Sequence, residues 1–226
     1  MSNLLYQNVA ADIEQKILNG EYPDGSPLPS ERNLAVQYGV SRNVLREAIK
    51  MLSEKKLITN FIGKGNYVTL PDEDDTVDMV EYALNVSSIS MDQIVDARES
   101  LEYIIGLRII GLSDQIDLTP AYNHYELMQK CLNKSKEFLK LDTDFHILLA
   151  DLCQNTPLKI FYQTLSNTIT KQFYYGFNDN KKGRESAQEE HLRILNALKS
   201  RDEKAYKDAI HLHLGFVRER LDTNEK

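Results

Sequence analysis

The chain has 226 residues, 42% of them apolar, which is enough for two modest domains with cores of their own. No apolar run approaches the ~20 residues of a membrane span. The N-terminus carries early acids and no long apolar stretch, so it does not read as a secretory signal, and a cytoplasmic protein is expected. The net charge of −7, taken whole, argues against nucleic acid as a partner. It is unevenly spread, however. Residues 1–70 hold eight Lys/Arg and seven Asp/Glu, and the remainder holds 19 and 27. A nearly neutral N-terminal part can still bind DNA if its bases share one face. Cys131 and Cys153 form no CxxC pair and read as reduced, buried thiols.

Val9, Ile13 and Ile17 recur at four-residue spacing and predict an amphipathic helix over about 4–18, stopped by Asn19-Gly20. Three prolines and a glycine make residues 21–30 an ordered connector. Ser30 is placed to cap a short helix through Tyr38. Gly39 ends that helix, and Ser41 is placed to cap the next. Leu45, Ala48, Ile49 and Leu52 form the buried stripe of this second helix, while Arg42, Asn43, Arg46 and Lys50 cluster on a different face. Such a face suits the major groove, because arginine can bridge guanine's two acceptors and asparagine can read adenine. Two β-type runs then flank Gly63-Lys64-Gly65, as in a wing; a hairpin that merely closes the small core fits the same residues. Pro71 and four acids at 72–75 read as a solvated linker. Beyond it only helical periodicity is found, with helices expected over about 76–86, 91–112, 118–133, 136–153, 156–175, 185–200 and 202–221. The predicted fold is mainly α. A winged helix-turn-helix over 1–70 is followed by the linker at 71–75 and by an antiparallel α-helical bundle over 76–226.

Asp142 and His146 are four residues apart and project from one side of a helix. His191 is in register with Ile194, Leu195 and Leu198, and His213 with Ile210, Leu214 and Val217. Three imidazoles and a carboxylate directed into an apolar interior suit a divalent ion such as Zn²⁺, Ni²⁺ or Mn²⁺. A lone inward histidine is more often a satisfied core residue. His124 has the same register with Leu127, Met128 and Cys131 and is assigned no role, and His211 reads as surface.

The N-terminal string resembles the GntR family of bacterial transcription regulators. The matching residues are Gly20-x-x-Pro-x-Gly, Leu28 to Arg32, Gly39-Val40-Ser41-Arg42, Val44-Leu45-Arg46-Glu47-Ala48 and Gly63-x-Gly65. The resemblance implies DNA contacts by Arg32, Arg42 and Arg46, with Ser30, Ser41 and Asn43 as further phosphate or base contacts. It also implies a wing tip at Lys64 and Gly65 that touches the minor groove. Glu31 and Glu47 would be ion-pair partners holding the arginines. Ile62 stands where some relatives carry a polar reader, which argues against base reading by the wing.

The C-terminal part is similar to the FCD ligand-binding domain of the FadR subgroup. The match rests on Arg98-Glu99-x-Leu101-Glu102, Asp142-x-x-Phe145-His146, Asn155, Glu190-His191 and Ala205…His213-Leu214. It implies metal ligands at Asp142, His146, His191 and His213 and a small organic acid held over the ion. Arg98 is a candidate carboxylate partner, unless it simply pairs with Glu102 at i+4. Tyr174, with Tyr175 and Phe177, would line the pocket or belong to plain core.

The expected function is that of a homodimeric, sequence-specific transcription regulator, a repressor, reading a two-fold symmetric double-stranded operator under control of a small carboxylate effector. The alternatives are a metal-dependent helical-bundle enzyme and a DNA-binding protein whose metal is purely structural.

Overall fold

The computed structural model describes residues 2–112, 115–173 and 181–224, with side chains from 5 to 112, 115 to 170 and 181 to 215. The chain divides into two compact units, 1–75 and 76–226.

In the first unit, α1 (Ser2–Leu18), α2 (Glu31–Gln37) and α3 (Arg42–Glu54) are followed by β1 (Ile58–Phe61) and β2 (Gly65–Val68). Val9, Ile13 and Ile17 on α1 meet Leu45, Ala48 and Leu52 on α3, with Leu34 and Ala35 of α2 closing the core. Both short helices begin on capping serines. Ser30 accepts from the Asn33 N–H and Ser41 from the Val44 N–H, each at 3.3 Å. Between these helices Gly39 takes φ +64, the left-handed conformation that a tight helix exit requires. β1 and β2 pair antiparallel, from Ile58↔Val68 to Phe61↔Gly65. The proline-rich connector runs along the free edge of β2. Leu28 N–H donates to Asn66 C=O at 2.8 Å, and Val68 N–H donates to Ser26 C=O at 2.9 Å.

The acidic run expected as a linker is in part helical. Glu73, Asp74 and Asp75 form the first turn of α4 (Glu73–Asn85). Asp72 Oδ1 accepts the Asp75 N–H at 2.8 Å, so the proline-aspartate pair initiates a helix. The three acids then complement the positive end of the helix dipole.

The second unit is helical throughout its described residues. It continues α4 and adds α5 (Met91–Gly111), α6 (Thr119–Lys130), α7 (Ser135–Leu152), α8 (Thr156–Phe173), α9 (Lys181–Ser200) and α10 (Glu203–Asn224). α5 begins on a full capping box between Ser90 and Gln93. Its Ile105 and Ile109 meet Phe145 and Leu149 of α7, Tyr162 of α8, Leu195 and Leu198 of α9, and Ile210 and Leu214 of α10 in one core. α9 starts four residues earlier than its periodicity suggests. Lys181 pairs with Glu185 at 3.5 Å, and the buried Arg184 donates from Nε to Leu132 C=O at 2.6 Å. Cys153 is buried as expected, whereas Cys131, at the end of α6, is only half-buried.

α5 and α10 approach closely at Gly106. A methyl group there would stand 2.0 Å from the Tyr206 ring, whose hydroxyl donates to Glu102 C=O at 2.9 Å. Gly106→Ala is therefore expected to lower stability by about 1–3 kcal/mol through overpacking. Chemical denaturation should show an earlier midpoint; an unchanged midpoint would contradict this packing.

Candidate metal centre and nucleic-acid interface

Three helices bring the imidazoles together in the core of the second unit. α7 supplies His146, α9 supplies His191 and α10 supplies His213, all buried, with their candidate ligand atoms within 4.8 Å of one another. His146 Nε2 and His213 Nε2 face each other at 3.0 Å. Asp142, one helical turn before His146, lies at the rim of the cluster. Its Oδ1 is 3.2 Å from His191 Nε2, and 22% of its side chain is exposed.

The opposite nitrogens of two rings are held by acceptors, and that of the third lies near a carboxylate. His213 Nδ1 is 3.0 Å from Glu190 Oε2, and His191 Nδ1 is 3.1 Å from Gln188 Oε1. His146 Nδ1 lies 3.4 Å from Glu102 Oε2. The amide of Gln188 is itself oriented, because its Nε2 donates to Tyr125 C=O and to Gln129 Oε1, each at 3.1 Å. Acceptors at Nδ1 of His191 and His213 place protons there, so in the metal-free cluster His146 Nε2 donates to the His213 Nε2 lone pair; a bound ion would take that proton's place.

Burial pushes His191 down to about 4, against the pull of Asp142, and also lowers His146 despite the Glu102 carboxylate. These rings are neutral at pH 7, the form that binds metal. Burial acts to raise Asp142, but its contact with His191 and the nearby imidazoles outweigh this and hold it below the usual carboxylate range. His191 Nε2 and Glu102 Oε2 are buried with no hydrogen-bond partner, although Asp142 Oδ1 lies 3.2 Å from the former and His146 Nδ1 3.4 Å from the latter. A buried lone pair set against a carboxylate is unfavourable unless a proton or a metal cation lies between them. The 3.0 Å between His146 Nε2 and His213 Nε2 fits that reading. Two nitrogens each about 2.1 Å from one ion, at about 90–109°, stand about 3.0–3.4 Å apart. The residues present could therefore hold a divalent ion.

Glu102 extends the site into α5 and α8. Its Oε1 accepts from Arg98 Nε at 2.8 Å and from the Tyr162 hydroxyl at 2.9 Å. Arg98 thus makes the i+4 pair that its spacing allowed, and it is buried in doing so. Burial acts to raise Glu102 too, but His146 and Arg98 hold it well below the carboxylate range. Tyr174, Tyr175 and Phe177 lie outside the described residues. His124 Nε2 is 2.8 Å from Leu141 C=O, a satisfied core histidine, and His211 is exposed beside Glu99 at 3.0 Å. Gln188 carried no motif in the sequence. Its only signal was its place three residues before His191, on the same helical face.

In the first unit, Arg42, Asn43, Arg46 and Lys50 are exposed along α3, and Arg32 is exposed on α2. Arg46 Nε donates to Glu31 Oε2 at 2.9 Å, which fixes the direction of that side chain. Glu47, expected to do the same for an arginine, pairs with none among the described residues. Ser30 and Ser41 spend their lone pairs on helix caps, leaving their O–H groups to donate. Lys64 and Gly65, the latter at φ +99, lie exposed in the hairpin tip.

The gntR family of bacterial regulatory proteins matches residues 5–68, and the FCD domain matches residues 93–216. The chain belongs to the GntR family and carries an FCD domain. This family consists of transcription regulators, not enzymes. The chain is 25% identical to the Uxu operon regulator of Haemophilus influenzae, over 97% of its own length and 82% of that protein. It is equally identical to the Glc operon transcriptional activator of Escherichia coli, over 94% and 87%. The same identity links it to the transcriptional repressor NanR of Klebsiella aerogenes, over 94% and 84%. A solved GntR structure from Streptococcus agalactiae shares the fold, with a TM-score of 0.57 at 21% identity over 95% of this chain and 99% of that one. Among the described residues no helix is long and apolar enough to cross a membrane.

Two substitutions separate ligands from the groups behind them. His191→Ala is expected to lose the ion, and Gln188→Leu to weaken it about 10–100-fold, as removal of a ligand-orienting partner does. Zn²⁺ at about 100 times its Kd should raise the stability of the unaltered chain by about 2.7 kcal/mol. Elemental analysis and melting with and without chelator check all three. Full metal content in His191→Ala would contradict the assignment.

Proposed function

We propose that this protein is a cytoplasmic, homodimeric repressor of the FadR subgroup. It would release a two-fold symmetric operator when a small organic acid occupies its FCD domain. The observation that carries the reading is the buried Nε2 cluster of His146, His191 and His213, with Nδ1 of His191 and His213 held by acceptors, in a chain whose other unit presents Arg42 and Arg46 from a serine-capped helix. Repression is favoured by the relatives named as repressors, NanR among them.

A divalent ion, Zn²⁺, Ni²⁺ or Mn²⁺, would be held by the three histidines with Asp142, and when bound it supplies a Lewis-acidic point for a carboxylate. The chain's own residues set the rest. Glu102, Gln188 and Glu190 hold the rings in the ligand tautomer. Asp142, at the more open rim, lies on the side from which an effector enters. Arg98, kept in place by Glu102 and Tyr162, is the cation proposed to meet the acid, and Tyr174 is proposed as a second effector contact. The effector shifts DNA affinity only by its difference in affinity for the two states of the domain. At the other end, Arg32, Arg42, Arg46 and Asn43 would read or position the duplex, with Ser30, Ser41, Lys64 and Gly65 on the backbone.

Arg42→Ala and Arg46→Ala are each expected to cost about 1–3 kcal/mol of operator binding and to relax base preference at one position. Binding to duplexes selected from a random pool measures both; unchanged preference in both variants would remove α3 as the reader. A melting screen of small organic acids, run with and without chelator, should yield hits that need the metal and weaken operator binding. A hit that tightens binding would make the protein an activator of the Glc kind. Metal-dependent stability with no effect of any acid on DNA affinity would leave the ion purely structural.

A further inference from the structure

The tip of the β1–β2 hairpin holds an apolar side chain where turn chemistry favours small or polar residues. Ile62 is 98% exposed and the adjoining Phe61 is 49% exposed. The hairpin that carries them is well braced. Ile58 and Val68 anchor it in the core, Asn60 Nδ2 donates to Asn66 Oδ1 at 2.8 Å, and Thr69 Oγ1 donates to Thr59 Oγ1 at 2.9 Å. Phe61 packs edge-on against Tyr67 with ring centroids 5.3 Å apart, so it props the turn. Lys64 N–H closes the turn onto Phe61 C=O at 2.9 Å, and Gly63 takes φ +76. Ile62 is left standing alone at the apex. The extended strand from the buried Ile58 to Phe61 carries it about 10 Å out.

Single exposed apolar residues are ordinary, but this one has a particular setting. From Leu57 to Thr69 the only charged residue is Lys64, two positions from Ile62. The same unit carries Arg42 and Arg46 on α3. A recognition helix fills the wide major groove, so a hairpin projecting beside it meets the neighbouring minor groove, where the base edges do not distinguish A·T from T·A. A branched apolar tip next to a lysine has little to hydrogen-bond there. It can wedge between base pairs, while the lysine holds a phosphate.

We propose that Ile62 is an apolar wedge that enters the minor groove, partly unstacks one base step and bends the operator toward the major groove. It rests on the DNA-binding reading above. Specificity at that position would come from how easily the step deforms, and pyrimidine–purine steps would be preferred.

The test uses the full chain and the tightest duplex it recovers from a random-sequence pool, placed at different positions in fragments of equal length. Gel mobility should reveal a bend of at least about 20° with the unaltered protein. Ile62→Gln and Ile62→Ala should straighten the duplex and weaken binding about tenfold, while Ile62→Leu keeps both properties. Lys64→Ala should instead lower the salt dependence by about one ion and leave the bend. A straight duplex with the unaltered protein, or an unchanged bend and affinity in Ile62→Gln, overturns the wedge while DNA binding stands. Failure to enrich any duplex overturns both readings. Because Ile62 is fully exposed, its substitution does not threaten the fold.

Discussion

Three imidazoles turned nitrogen-first toward one another set the terms for the C-terminal unit. Nδ1 of His191 and of His213 meets Gln188 and Glu190, His146 Nδ1 lies near Glu102, and the Nε2 atoms are turned toward one another and toward the Asp142 carboxylate. Such a cluster needs positive charge within it. A shared proton could supply some, but burial opposes protonation, as the lowered pKa values of His146 and His191 show. A divalent ion supplies more charge and satisfies several lone pairs at once.

The groups behind the ligands also tie the bundle together. Glu102 on α5 reaches His146 on α7, the Tyr162 hydroxyl on α8 and, through its backbone carbonyl, Tyr206 on α10. Glu190 and Gln188 on α9 reach His213 on α10 and the backbone of α6. Removing one partner from a buried charged network of this kind typically costs about 3–5 kcal/mol, so its members are not independent. A ligand that alters the site alters how five or six helices are held, which is what an effector domain requires of its core.

Much of this was legible in the sequence, for identifiable reasons. Helix positions followed the apolar period because α1, α3, α5, α7 and α10 each bury one face. Register alone showed that His146, His191 and His213 point inward. It could not show which nitrogen each ring presents, because Glu190 and Glu102 act across helix pairs and Gln188 carries no motif. Arg98 carried two equal readings until burial beside Glu102 and Tyr162 revealed the ion pair. The acidic run at 72–75 is solvated and ends where the two units divide, but its charge did not reveal that Glu73–Asp75 are helical. In this context the same charges stabilise a helix N-terminus. The wing's shape followed from its glycines. The isolation of Ile62 at the apex did not, since exposure is a property of the folded hairpin.

The tautomers test the account most directly. Long-range ¹H–¹⁵N correlation spectra of the chain labelled at histidine nitrogens, recorded before and after Zn²⁺, report the state of every ring nitrogen. With zinc bound, three histidines should carry a proton on Nδ1 and present a deprotonated, shifted Nε2. Protonated Nε2 atoms on these rings in the zinc-loaded chain, or three rings whose nitrogens ignore the metal, would contradict it.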